Sequence, residues 1–417
     1  MAYIHVTGGH PLEGRVEVQG SKNAVLPILA ATLLNGGKSV IHHCPDLSDV
    51  RISLDILRFL GCDVAFENGT VTVDSTNVEN NYIPDELMHQ MRSSIVFLGA
   101  ILARRQSAVM SYPGGCEIGP RPIDLHLKAF REMGVRVDET QGFVYCEAKQ
   151  PKPACLHLDF PSVGATENIM LTAVMAEGTT VLNNAAREPE IVDLQNFLNA
   201  MGARVRGAGG DVIRITGVPA LHDAEYTIIP DRIVASTYLA AVMAAGGMVE
   251  IASVVPRHFS AFIAAARDCG AKVLTRRDAV VVSAPRAIAP IDIVHTSPYP
   301  GFPTDAQSLL MSVLACARGT SIIRETIFEG RFKHAAELAR MGADIRVTGK
   351  SAVIRGVRNL TGCTVDACDL RSGAALVVAA LRAKGDTQIR NVHYIDRGYE
   401  RLEQDLQALG AEIERVE

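Results

Sequence analysis

Phe59-Leu60-Gly61-Cys62-Asp63-Val64 reads as a helix end, a glycine and a strand start within six residues. Upstream, Ile52, Ile56, Phe59 and Leu60 fall at helical spacing. Gly61 suits the left-handed C-cap that stops such a helix. Downstream the chain alternates as a strand, turns at Glu67-Asn68-Gly69-Thr70 and continues into Val71-Thr72-Val73. The pattern returns as EMGVRV at 132–137, AMGARV at 200–205, DCGAKV at 268–273, RMGADI at 340–345 and ALGAEI at 408–413. The six glycines are separated by 73, 68, 68, 72 and 68 residues, a period long enough for a whole structural repeat.

Each repeat also carries an earlier, Ala-rich helix ending at Gly36, Gly178, Gly246, Gly319 or Gly385, with Arg104-Arg105 where the second repeat lacks the glycine. A β-rich segment follows each of these helices. The unit is therefore β-α-β-α-β-β, about 70 residues long, and the fold class is α/β. Six units make two lobes of three, expected as residues 22–229 and residues 1–21 plus 230–417. The sixth repeat ends after one strand, so the opening strand at 2–6 and the segment 16–18 are expected to pair into the second lobe.

With 417 residues, 48% of them hydrophobic, the chain can bury a large core without disulfides or structural metals. A net charge of −5 excludes a broadly basic nucleic-acid binder, and the absence of Trp argues against stacking as the main mode of recognition. The nine cysteines are odd in number and contain no C-x-x-C pair, so no disulfide framework or zinc site is indicated. No G-x-x-x-x-G-K-[ST] loop or well-placed G-x-G-x-x-G is present, and the 12 histidines do not cluster at metal-ligand spacing. The opening MAYIHVTGGHPLEG does not read as a signal peptide, so none is expected, and no apolar run reaches membrane-spanning length. A cytoplasmic protein is expected.

Polar residues gather at helix starts. Lys22, Arg92, Arg232 and Arg371 open the first helices of their repeats, where the macrodipole disfavours positive charge. A bound anion would resolve that conflict. Arg187, Arg257, Arg331 and Arg397 open second helices, together with the segment Cys116–Arg121. A cleft lined by these cations suits a strongly anionic small molecule. Cys116 lies in PGGCEIGPRP at 113–122, whose three glycines and three prolines read as an exposed loop. An exposed thiol beside cations has a lowered pKa and is reactive, whereas the other eight cysteines read as small buried hydrophobes.

The stretches GSKNAVLPILAATLL (20–34), PGGCEIGPRPIDLH (113–126), SVGATENIM (162–170), AAREPEIVD (185–193), PGFPTDAQ (300–307), RETIFEGRFKHAAELARMGAD (324–344), DLRSGAALVVAALRAKG (369–385) and YIDRGYERLE (394–403) resemble the UDP-N-acetylglucosamine 1-carboxyvinyltransferases, a family of enolpyruvyl transferases. The resemblance spans essentially the whole chain. It implies a two-lobed inside-out α/β barrel of the EPSP synthase-like kind, with helices inside. It implies phosphoenolpyruvate and UDP-N-acetylglucosamine as partners, and no cofactor, metal, nucleic acid or membrane. The sugar 3′-hydroxyl would add to phosphoenolpyruvate, and the tetrahedral adduct would then lose phosphate. This would be the first committed step of peptidoglycan synthesis.

Matched position by position, the resemblance makes Cys116 the acid that protonates the methylene carbon and the thiol attacked by the phosphonate epoxide fosfomycin. Asp305 becomes the base, or the group orienting the hydroxyl; its bland alternative is a helix N-cap. Lys22, Arg121 and Arg397 become the phosphate clamp, Arg371 the carboxylate partner and Asn23 a hydrogen-bonding partner. Arg92, the run Arg121, Pro122, Ile123, Asp124 and Leu125, then Ser162, Val163, Gly164, Asp305 and Ile327, become UDP-sugar contacts. These residues divide between the lobes, so the resemblance implies closure on the nucleotide sugar. Ser48 departs from relatives that carry a basic residue close before Asp49. The shikimate-pathway enolpyruvyl transferases are the nearest alternative, but their G-N-x-G-T segment is missing here. A regulatory paralogue without turnover is the non-enzymatic one.

Overall fold

The computed structural model describes residues 2–112, 123–285 and 287–417. These residues form two compact units, one of residues 20–229 and the other of residues 2–19 with 230–417. Six separate sheets, five of four strands and one of three, follow the six repeats, and no continuous barrel is hydrogen-bonded among the described residues.

The decisive stretch folds as its residues dictate. Helix Ser48–Leu60 stops at Gly61, whose φ of 106° is the left-handed conformation open to glycine. The Cys62 N–H then reaches back to the Leu57 carbonyl at 3.0 Å, the longer closing bond of a Schellman motif. The same bond occurs in every repeat: Val135 to Phe130, Ala203 to Leu198, Ala271 to Ala266, Ala343 to Leu338 and Ala411 to Leu406, all at 2.9–3.0 Å. The small residue after each glycine is buried, so the helix and the strand it feeds pack at a fixed angle. Asn68 and Gly69, both at positive φ, make the two-residue turn of the hairpin that pairs Glu67 with Thr70. Where the second repeat lacks its glycine, Gln106 takes the left-handed position at φ 66°.

The Ala-rich first helices are apolar over most of their surface, and apart from residues at their ends they are buried. In residues 20–229 these are Lys22–Ala31, Phe97–Arg105 and Val163–Ala173, the middle one packing against the other two. In the other unit Arg232–Ala245, Gln307–Leu314 and Leu370–Arg382 pack against one another. The sheets keep one face outward, as the alternating burial of Phe143–Glu147 illustrates. Helices inside and sheets outside are the inside-out arrangement.

Strand Tyr3–Thr7 lies between Asp386–Arg390 and Glu412–Val416, antiparallel to both, and supplies the strand missing from the sixth repeat. Leu12–Glu17 pairs in parallel with Gly247–Ala252 and opens the fourth. Residues 20–229 close likewise, with Ala224–Thr227 parallel to Lys38–His42 of the first repeat. Among the described residues no helix is long and apolar enough to cross a membrane.

Candidate functional site

The starts of the buried helices carry the charges, and the two units arrange them differently. In residues 20–229, Lys22 is the first residue of its helix and Ser21 gives it no side-chain cap. Lys22 is 7% exposed, and its Nζ lies 2.7 Å from Oδ2 of Asp49, which is 1% exposed. The anion expected at this helix start is thus, in part, a carboxylate of the chain itself. Asp49 belongs to the first turn of Ser48–Leu60, where an acid also suits the dipole. Beside it the Ser48 hydroxyl is buried without a partner among the described residues.

Helix Val163–Ala173 begins at a true cap, with Ser162 Oγ accepting from the Ala165 N–H at 3.3 Å. Gly164 in its first turn faces His126, and a Cβ there would stand 3.2 Å from the ring's Cε1. His126 is held by Asn168. The Gly99 N–H donates to Asn168 Oδ1 at 2.6 Å, so the amide nitrogen faces the Ile95 carbonyl and His126 Nδ1 at 3.0 and 2.9 Å. With Nδ1 accepting, the network assigns the ring proton to Nε2. Burial, then the Arg92 charge, pushes the imidazole pKa down to about 4, so the ring is neutral. Arg92 and Asn23 are half-buried, Ile123 is buried, and Asp124 and Leu125 open helix Asp124–Glu132. Cys116, Arg121 and Pro122 lie outside the described residues.

In the other unit Asp305 occupies the short turn Thr304–Ala306, and helix Gln307–Leu314 has no side-chain cap. Asp305 is therefore not the N-cap that its position allows. Instead it faces two buried guanidinium groups: Arg331 Nη2 lies 2.5 Å from Oδ1 and Arg371 Nη2 3.6 Å from Oδ2. Arg371 is raised to its place by a capping box, in which Asp369 accepts from the Arg371 and Ser372 N–H groups. Burial works against its charge, yet Asp305, Tyr399 and Asp231 together hold its pKa above the ordinary value. Among the described residues its Nη1 finds no hydrogen-bond partner of good geometry, a donor available to an anion. Arg397 ends the turn Val392–Arg397, half-buried. Ile327 is half-buried, its N–H donating to Glu325 Oε1 at 2.8 Å.

Within each unit the sequence-predicted residues thus fall at the starts of the buried helices or in the turns beside them. Sequence reasoning gave no role to Asp49 or Glu325, and it noted Arg331 only as a helix-start cation. Among the described cysteines the buried-hydrophobe reading holds for Cys44, Cys62, Cys146, Cys269 and Cys316. It fails for Cys155, which is exposed, and for Cys363 and Cys368, which are half-buried. Cys155 sits on an outward position of a short edge strand, a place that alternation cannot distinguish from an inward one when the strand has three residues. The described residues contain no group of His, Cys, Asp or Glu able to hold a metal ion.

The family model for EPSP synthase (3-phosphoshikimate 1-carboxyvinyltransferase) matches residues 6–406. A UDP-N-acetylglucosamine 1-carboxyvinyltransferase 2 from Caldanaerobacter subterraneus subsp. tengcongensis is 51% identical, with 100% of each chain covered. A UDP-N-acetylglucosamine 1-carboxyvinyltransferase 1 from Carboxydothermus hydrogenoformans is 50% identical, covering 100% of this chain and 99% of its own. The crystal structure of the enolpyruvyl transferase NikO from Streptomyces tendae superposes with a TM-score of 0.88 at 26% identity, over 100% of this chain and 99% of that one. EPSP synthase from Acinetobacter baumannii, at 20% identity and a TM-score of 0.77 over the full length of both chains, shares the fold. With half of its residues shared from end to end, the chain belongs to the EPSP synthase family and, within it, to the UDP-N-acetylglucosamine 1-carboxyvinyltransferases.

Proposed function

We propose that this chain transfers the enolpyruvyl group of phosphoenolpyruvate to the 3′-hydroxyl of UDP-N-acetylglucosamine and releases phosphate. The supporting observation is Asp305, uncapped and held by Arg331 and Arg371 in a chain whose full-length relatives carry that activity in their names. Asp305 takes or orients the hydroxyl proton, and the two guanidinium groups hold its carboxylate in place for that task. Arg371 receives the carboxylate of phosphoenolpyruvate. Lys22, Arg121 and Arg397 stabilise the phosphate as charge moves onto it, and Cys116 delivers the proton to the methylene carbon. Asn23, Arg92, Arg121 to Leu125, Ser162 to Gly164 and Ile327 hold the nucleotide sugar, with the start of helix Val163–Ala173 suited to its diphosphate. The reaction belongs to cytoplasmic cell-wall synthesis and needs no cofactor.

The shikimate-pathway reaction is the second reading, because the matching family model is described by that enzyme. The 50–51% identities favour the nucleotide sugar, since the EPSP synthase likeness at 20% carries fold alone. Phosphate release from phosphoenolpyruvate, measured with UDP-N-acetylglucosamine and with shikimate 3-phosphate, decides. Release with the first acceptor only is expected. Release with the second only assigns the other reaction, and release with neither makes the chain a non-catalytic paralogue.

A further inference from the structure

Glu325 is a buried carboxylate at the end of strand Thr320–Arg324, 1% exposed, and no cation pairs with it among the described residues. Four neutral donors serve it instead. Oε1 accepts from the Thr296 hydroxyl at 2.9 Å and from the Ile327 and Phe328 N–H groups at 2.8 and 3.1 Å. Oε2 accepts from the Thr304 hydroxyl at 2.9 Å. A carboxyl group buried this deeply needs hydrogen-bond partners for its oxygens, and both oxygens have them.

The donors belong to segments that meet again elsewhere. Thr304 precedes Asp305. Phe328 carries the Arg331 guanidinium 5.7 Å above its ring, and Arg331 grips Asp305 Oδ1. The path from Glu325 through Thr304 to Asp305, on to Arg331, to Phe328 and back to Glu325 is closed. Moving Glu325 therefore shifts both ends of the Arg331–Asp305 pair. We propose that Glu325 is a positioning residue: Oε2 sets the Asp305 carboxylate against the sugar hydroxyl, and Oε1 sets the Ile327–Phe328 backbone against the sugar. This rests on the functional reading above, in which Asp305 acts on that hydroxyl.

The two oxygens predict a split. In Glu325→Gln the amide oxygen stays with the two backbone N–H groups, since only an acceptor fits them, and the amide nitrogen meets the Thr304 hydroxyl as a donor, which reverses that bond and leaves the Thr304 proton without its acceptor. Thr304→Val removes the same bond from the other side at nearly unchanged volume. Both variants should lower kcat for phosphate release by about tenfold while the Kd of UDP-N-acetylglucosamine stays within about twofold. The double variant should lose less than the product of the two single losses, because both changes act on the one Glu325–Thr304 contact. Glu325→Ala should lose both kcat and nucleotide-sugar affinity where it folds, which melting curves establish. Wild-type kcat per folded molecule in both single variants overturns the proposal, as does a double variant whose losses multiply. Asp305→Asn separates this from the functional reading. If it is inactive while Glu325→Gln and Thr304→Val are wild-type, only the positioning role falls. If it releases phosphate like the wild type, the reading of Asp305 falls and the positioning role with it.

Discussion

Lys22 Nζ stands 2.7 Å from Asp49 Oδ2, and both side chains are at least nine-tenths buried. Lysine at a helix start opposes the macrodipole, and burial adds the cost of desolvation. Asp49 offsets both and holds the ammonium beside the helix start. Breaking such a pair from one side is more costly than never having had it.

Asp49→Asn should therefore destabilise the protein by roughly 3 kcal/mol. Lys22→Met in the same chain should return much of that loss, because no uncompensated charge is left, yet phosphate release should stay abolished. Urea unfolding of the two single variants and the double variant reads the coupling. Simple addition of the two losses would show that the pair is not a coupled unit.

Gly164 explains itself through His126. A methyl at 164 would stand 3.2 Å from Cε1 and 3.4 Å from Nε2 of a ring that Asn168 does not let turn. Gly164→Ala should leave stability within about 1 kcal/mol, since alanine suits a helix better than glycine. It should weaken UDP-N-acetylglucosamine binding by about tenfold, or 1.4 kcal/mol, while the KM for phosphoenolpyruvate stays unchanged. Calorimetric titration with the nucleotide sugar alone tests this, and unchanged affinity would remove the helix start from the binding site.

Two buried groups around helix Val163–Ala173 give stability opposite dependences on pH. Folded His126 has its pKa pushed down to about 4 from 6.5. Its contribution is complete above pH 6.5, where folded and unfolded rings are both neutral. It is lost as pH falls towards 4, because the unfolded ring takes a proton that the folded one refuses, a loss on the order of 3 kcal/mol. Glu167 runs the other way. Burial, reinforced by Glu190 and Glu188, holds its carboxyl well above the ordinary range. Its contribution is therefore present below pH 4.5 and declines as pH rises. Glu167→Gln, which keeps the shape without the proton, should stabilise the protein at pH 8 and lose that advantage on acidification to pH 4.5. His126→Asn, which retains an acceptor for Asn168, should flatten the decline between pH 6.5 and 4. Urea melts across that range measure both, and parallel curves for variant and wild type would refute the assignments.

The repeat was legible because its signals are local. A helix period, a glycine at φ near 100° and an alternating strand all lie within a few residues, and the same bond closes every copy. The strand borrowed from the N-terminus was legible by subtraction, since the sixth copy is one strand short. The helix-start residues were legible as charges out of place. Their partners were not. Asp49 meets Lys22, and Arg331 meets Asp305, across loops and from different elements, so no spacing rule links them. Glu325 was hidden more deeply, for its donors include two backbone N–H groups that carry no sequence signature.

Cys116 lies outside the described residues, so its role is argued from its neighbours in sequence and from the thiols that surround no site. Burial pushes Cys44, Cys62, Cys146 and Cys269 up to about 12, which leaves them inert at neutral pH. Exposed Cys155 and half-buried Cys363 and Cys368 are the competing thiols among the described residues, and replacing all three by serine gives a clean background for labelling. In that background one equivalent of a small electrophile should enter rapidly, at Cys116. A proton donor, however, must hold its proton when the methylene carbon needs it, and bound phosphoenolpyruvate, itself anionic, should raise the thiol pKa again. Cys116→Asp should then keep substantial activity, because a carboxyl among anions can carry a proton near neutral pH. It should also escape fosfomycin, being a far poorer nucleophile than a thiolate. Cys116→Ser should lose most activity, since a hydroxyl of similar shape has too high a pKa to donate efficiently. Phosphate release by both variants, with and without the epoxide, reads each role separately. A serine variant near the wild-type rate, or an aspartate variant as inactive as serine, would remove Cys116 as the acid and leave it only the thiol that the drug attacks.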